Sequence, residues 1–200
     1  MRKLCTYVLT NDTGLAPNPF WGWCTVAVCT PNHQGARLKD GDWIAGFRRH
    51  RLLYVMEVAS RIQMQEYFDD QRFTKKKPNL RGTWKDRCGD NFYSQNPDGS
   101  WQQHRNRFHV GPTYLAKDTR RPFVFVSQNF WYFGQNAVPV PNEFVPLIGQ
   151  RGIRVNHPAG LSEKFYEWVE VEFEPGVKGL PNDNPDIDSA LTESGLGCTC

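Results

Sequence analysis

Two hundred residues, 39% hydrophobic and 14% aromatic, suffice for one sizeable core and exclude a chain disordered over most of its length. The net charge of +3 conceals a polarity: residues 48–121 carry 16 Lys or Arg against 8 Asp or Glu, and residues 122–200 carry 4 against 10. No apolar run reaches membrane-spanning length and no charged-then-apolar leader opens the chain, so a cytoplasmic protein without membrane contact is expected.

The first strand is expected within Met1–Thr10, on the apolar residues Leu4, Tyr7, Val8 and Leu9, with a turn at Asn11–Gly14. Leu15–Trp23 holds two prolines and three aromatics, Phe20, Trp21 and Trp23, in a segment too irregular for helix or sheet. It forms either a pocket wall or a cap over one end of a barrel. Cys24–Cys29 is apolar and reads as a buried strand. Gly41-Asp42 closes a tight turn into a strand through Trp43, Ile44 and Phe47, and a second strand follows over Leu52–Val58. Between them lies the basic hairpin Arg48-Arg49-His50-Arg51.

Met64, Tyr67 and Phe68 have helical spacing, which predicts a short helix within Gln63–Phe73, ending near Asp69-Asp70. Arg72–Pro78 then reads as an exposed basic loop whose Lys75, Lys76 and Lys77 attract phosphates without reading sequence. A second Gly-Asp pair, Gly89-Asp90, precedes Asn91, Phe92 and Tyr93. The turn Pro97-Asp98-Gly99-Ser100 folds Trp101 back towards Tyr93 on an antiparallel partner. His104 and His109 fall in an extended stretch that can put both on one face, although two histidines without a third ligand are more often structural. Phe123–Ser127 is a buried strand, continued by Asn129–Gly134, and Pro139–Ile148 is a proline-broken connector. Ser162–Glu174 carries both helical and alternating spacing; a helix with Ser162 as N-cap is the expectation. From Asn182 the chain is poor in apolar residues and reads as a flexible tail, leaving a single domain over 1–181.

The six cysteines, at 5, 24, 29, 88, 198 and 200, form no C-x-x-C pair, so neither a metal site nor a cofactor is expected. Cys5, Cys24 and Cys29 read as buried thiols. Cys198 and Cys200 lie in the polar tail. No G-x-S-x-G, H-E-x-x-H, P-loop, dinucleotide fingerprint or zinc-deaminase pattern is present.

Two resemblances emerge from these motifs. "GDWI…G" running into a basic hairpin and then "LLYVMEVA" resembles PUA-like domains of the EVE/YTH type, and implies an α+β fold: a compact β-barrel with short flanking helices. "APNPFWGWCTVAVCTP" at 16–31, "GDWIAG" at 41–46, "LLYVMEV" at 52–58, "EYFDDQRFTKKKP" at 66–78, "CGDNFY" at 88–93 and "NFWYFG" at 129–134 resemble, in order, the nucleotide modification associated domain 2 (Nmad2) family. That resemblance implies a place in the modified-nucleotide systems of bacteria and phage-infected hosts, and no established reaction.

Three functions stay open. The first is a nucleic-acid-binding module, with DNA as the expected partner, that holds a base among Asn18, Phe20, Trp43, Asp90, Asn91, Tyr93 and Trp101. Phosphates would then lie on Arg48, Arg49, Arg51, Arg72, Lys75, Lys76 and Lys77. The second is an enzyme acting on a modified nucleotide through Asp90 with His104 or His109. The third is an accessory subunit that recruits a DNA-modification enzyme through its acidic half.

Overall fold

The computed structural model describes residues 2–28, 36–149 and 152–187. Its centre is the hairpin of β3 (Trp43–Arg48) and β4 (Arg51–Glu57), in which Trp43 faces Glu57 and Arg48 faces Arg51. Arg49 and His50 make the two-residue turn with φ of 49° and 59°, the mirror-image geometry that matches strand twist but suits Asn-Gly better than these side chains. Gly46 lies at a bulge where a Cβ would collide with Leu9 and the ring of Tyr54.

The strand β1 (Leu4–Val8) runs parallel to β3, and β9 (Phe130–Tyr132) pairs antiparallel with β4. Two short strands, β11 (Ile153–Arg154) and β12 (Gly176–Val177), lie at opposite ends of the order β11-β1-β3-β4-β9-β12, and β10 (Val138–Pro139) also pairs with β4. Both faces of this sheet are covered, so its central strands read as apolar runs without strict alternation. Trp43, Ala45, Val55 and Trp131 pack under α4 (Leu161–Glu172) through its Phe165, Tyr166 and Val169. Cys5, Ile44, Met56 and Tyr132 pack against a second sheet in the order β2 (Cys24–Val26), β8 (Phe123–Ser127), β5 (Ser60–Gln63). The other side of that sheet holds a third cluster of Val124, Val126, Ile62, Tyr67, Phe73, Phe92 and Tyr93. The elements covering it are α1 (Met64–Asp69), a 3-10 helix at Gln71–Lys76 and the hairpin of β6 (Tyr93–Gln95) and β7 (Trp101–Gln103). Two more helices, α2 (Trp84–Arg87) and α3 (Pro112–Asp118), flank this region.

The class is α+β as expected, but among the described residues neither sheet closes, so the PUA-like barrel is replaced by packed open sheets. The chain crosses from one sheet to the other between β4 and β5, and Ala59 donates its amide to Val126. Asn129–Gly134 does not continue β8; it starts β9 in the other sheet. The short helix within Gln63–Phe73 ends at Asp69, where the Asp69-Asp70 pair was expected to end it: Asp70 turns extended and its carboxylate accepts from the Arg72 amide to start the 3-10 helix. Gly160, in left-handed conformation, takes the N-cap position of α4 that was expected at Ser162. The turn at Pro97–Ser100 closes the expected antiparallel hairpin, with Trp101 opposite Gln95 and Tyr93 opposite Gln103.

Of the tail expected from Asn182, residues 188–200 lie outside the described residues, and its first six residues are not free of the body. Residues 182–187 lie along the body as a strap: Asn182 donates twice to the Asp12 carboxylate, Asp183 pairs with Arg48, and Ile187 is buried. Cys29, Cys198 and Cys200 lie outside the described residues.

Candidate nucleic-acid interface

Asp90 sits on the loop leading into β6, and Gly89 before it allows that loop to press against the 3-10 helix. A Cβ there would collide with the Lys76 carbonyl and lie 2.6 Å from the Pro78 nitrogen. The carboxylate is buried and accepts two hydroxyl hydrogen bonds of 2.6 Å, from Thr25 on β2 and Tyr67 on α1. Burial raises its pKa, against the opposing pull of Lys76. Lys76 itself is 1% exposed. Its ammonium donates to the Asn18 carbonyl (2.7 Å), the Asn18 side-chain oxygen (2.7 Å) and the Trp23 carbonyl (2.8 Å), and burial depresses its pKa to about 8. Asn18 completes the set by donating to the Cys88 carbonyl, and Asn91 donates to the carbonyls of Tyr67 and Phe73. The structure thus brings Asn18, Asp90 and Asn91 together, with Thr25, Tyr67 and Lys76, as a sealed polar network. Lys76 is therefore not one of the phosphate-facing lysines.

This network holds an aromatic and cationic surface in place. Between Phe20 and Trp23 the chain makes a turn in which Trp21 and Gly22 take φ of 56° and 79°, closed by the Trp23 amide on the Phe20 carbonyl. A tryptophan in the left-handed region is strained, and only surrounding structure can hold it there. The Lys76 bonds to Asn18 and Trp23 supply that hold. Trp21 meets Phe20 edge-on at 5.7 Å between centroids, and Phe20 in turn meets Trp84 of α2 at 5.5 Å. Trp21, Trp23 and Trp84 are half-buried, whereas Phe20 is 4% exposed. Cations border the rings: Arg72 lies 5.7 Å from the Trp23 centroid, Lys85 5.7 Å from that of Trp84, and Lys76 5.6 Å from that of Trp21. Lys75 and Arg81 are exposed nearby in sequence.

The family model described as nucleotide modification associated domain 2 matches residues 1–186. The chain belongs to the Nmad2 family. No curated protein and no solved structure matches it. The family's description associates this Nmad2 chain with nucleotide modification.

The remaining expected residues of the Nmad2 chain are dispersed. Trp43 is fully buried under α4, stacked on Trp131 at 5.4 Å, and cannot receive a base. Tyr93 is also buried, with its hydroxyl on Asp118, and Trp101 packs half-buried on the third cluster. His104 bonds Ser94 and stacks on Phe68, whereas His109 bonds Asp118, so the two do not share one face. Arg48, Arg49 and Arg51 line a cavity of about 300 Å³ beside Asp183, but Arg48 is bound by that carboxylate at 2.6 and 3.0 Å and Arg51 donates to the Ala137 carbonyl. Arg49 is exposed. Lys77 lies over the Phe68 ring at 3.7 Å. Among the described residues no three His, Cys, Asp or Glu converge as metal ligands would, and no helix is long and apolar enough to cross a membrane.

Proposed function

We propose that this Nmad2 domain binds nucleic acid in its modified-nucleotide setting, stacking exposed bases on Trp21, Trp23 and Trp84 and holding phosphates with Arg72, Lys75 and Lys85. The observation that carries this reading is the strained Trp21 turn, kept in place by a buried lysine and flanked by ring–cation pairs. Aromatic faces accept any base, and neighbouring cations track the backbone, which is the chemistry of single-stranded or locally opened substrates. DNA is the partner the family setting favours, with a DNA-modification enzyme acting alongside. Catalysis by Asp90 with a histidine gains no support: the carboxylate is sealed, and its partners are Thr25 and Tyr67, not His104 or His109.

Fluorescence anisotropy with modified and unmodified oligonucleotides across a salt series tests the proposal. Trp21→Ala and Trp84→Ala are each expected to weaken single-strand binding about tenfold, the value of one base–aromatic stack. The triple change Arg72→Ala, Lys75→Ala, Lys85→Ala should lower affinity for all sequences alike and flatten the salt dependence by roughly one unit of slope for each phosphate that loses its cation. Folded variants that bind as the parent does would remove this surface from the interface.

A further inference from the structure

Three arginines meet at the end of the central hairpin. Arg48 on β3 and Arg51 on β4 face each other in register, and Arg49 stands in the turn between them. Like charges directly opposite on neighbouring strands cost stability, and so does a left-handed arginine where Asn-Gly is the favoured pair. The fold accepts both costs beside the cavity of about 300 Å³ that all three residues line.

One carboxylate in the lining answers them. Asp183 accepts from both terminal nitrogens of Arg48, at 2.6 and 3.0 Å, and is itself held by Asp12, whose amide donates to the carboxylate and whose carbonyl accepts from the Asp183 amide. Burial works to raise the Asp183 pKa, but Arg48, the Asp12 backbone and Arg49 overcome it and hold the carboxyl below its ordinary range. Arg51 commits its Nε to the Ala137 carbonyl, which leaves the two terminal nitrogens of its fork without a bond among the described residues; Arg49 makes no hydrogen bond or ion pair among them. Both side chains belong to exposed residues. The other carboxylate nearby, Asp12, is buried on Tyr132 and Asn182 and does not line the cavity. The cavity therefore carries an excess of two positive charges beside an ion pair that is already satisfied. Two guanidinium forks suit an anion with several acceptor oxygens. A phosphomonoester brings about −1.5 to −2 charges and three such oxygens at pH 7, whereas a phosphate within a strand brings about one charge. Ligand pockets span about 300–1,000 Å³, so this one lies at the small end and fits a phosphate or diphosphate group, not a whole nucleotide.

We propose that this cavity binds a terminal phosphate, as a phosphomonoester or diphosphate, on the Arg49 and Arg51 guanidiniums beside the Arg48–Asp183 pair. The site shares no residue with the strand-binding surface and does not depend on it. A free nucleotide and the 5′-phosphorylated end of a strand offer the same group.

Calorimetric titration of the full chain with inorganic phosphate, pyrophosphate and dCMP, and with one oligonucleotide in 5′-phosphorylated and 5′-hydroxyl forms, separates these sources. Arg49→Asn puts a residue that the turn prefers at that position, so the variant should melt no lower than the parent while its phosphate affinity falls about tenfold, the value of charge-assisted hydrogen bonds. Arg51→Ala should lose about as much, and added salt should weaken binding to the parent. Pyrophosphate carries no base, so failure of the strand-binding surface would leave this result standing. Binding of the free phosphates that depends on Arg49 and Arg51 identifies a free-nucleotide site. A gain in strand affinity from the 5′-phosphate that needs both arginines, without binding of the free probes, identifies a strand end. No binding and no such gain, effects that both variants leave intact, or a loss of binding in Arg49→Asn that comes with a lower melting temperature, overturns the proposal.

Discussion

Asp90 receives its two side-chain hydrogen bonds from neutral hydroxyls, and its cationic neighbour Lys76 spends its own bonds on Asn18 and Trp23. Removing one member therefore strands the others in a buried site. Lys76→Met should destabilise the fold by about 3–5 kcal/mol in urea denaturation, as breaking a buried charged set does, and Asp90→Asn by about 1–3 kcal/mol. Linkage gives the pH signature. Between about 8 and the usual 10.5 the folded chain has released the Lys76 proton and the unfolded chain still holds it, so this group's contribution to stability rises with pH across that window. The stability gap between parent and Lys76→Met should accordingly widen from pH 8 to 10, and a constant gap would contradict it. Little of this was legible in the sequence. Lys75-Lys76-Lys77 reads as three equal solvated charges, and only the register of the 3-10 helix turns the middle one inward. Tyr67, correctly expected in a short helix, gave no hint of its hydroxyl's role, because its partners lie 23 and 42 residues away.

At the scale of elements, the hairpin of β6 and β7 docks on α1 through the stack of His104 on Phe68, 4.8 Å between centroids, and through the Gln65 side chain on the Gln95 amide. Lys77 lies over the same Phe68 ring. Partial burial, and then the Lys77 charge, lower the His104 pKa below its ordinary 6.5. Its contribution to stability is complete above pH 6.5 and is lost as pH falls through the folded value. An NMR titration should show His104 titrating below 6.5, and Lys77→Ala should raise that value; an unchanged midpoint would separate the two groups. Elements with continuous apolar, β-branched runs or strong turns, such as β3, β4, β8 and the Asp98-Gly99 hairpin, were readable because their signals are local. Sheet membership was not. β8 and β9 are separated by two residues and belong to different sheets, a choice made by packing on both faces. The helix at Pro112–Asp118 was not expected from the sequence, and nothing in its spacing pointed from Asp118 to His109.

Across the whole molecule, the strap at 182–187 is the feature composition conceals most, because its anchors are polar and distant. Asp12, whose pKa burial raises, accepts from Tyr132 and twice from Asn182; Asn184 reaches Thr13 and Cys88; and Asp186 pairs with Arg87 and Arg107. A chain ending at Pro181 should melt at a lower temperature. It should also bind single strands more tightly at low salt, since Arg48, Arg87 and Arg107 lose their carboxylates; calorimetry and anisotropy read the two effects. An unaltered melting temperature would show that the strap rests on the fold without supporting it. The strap also bears on the order in which the domain is built. When a ribosome has released residues 2–149, every strand but β11 and β12 exists, yet one edge of β1 is bare and Asp12 is buried without its Asn182 donors. Native closure therefore waits first on β11 and then on the strap, and until β11 arrives the nascent chain exposes an N-terminal strand edge that a chaperone or a neighbouring nascent chain can pair with.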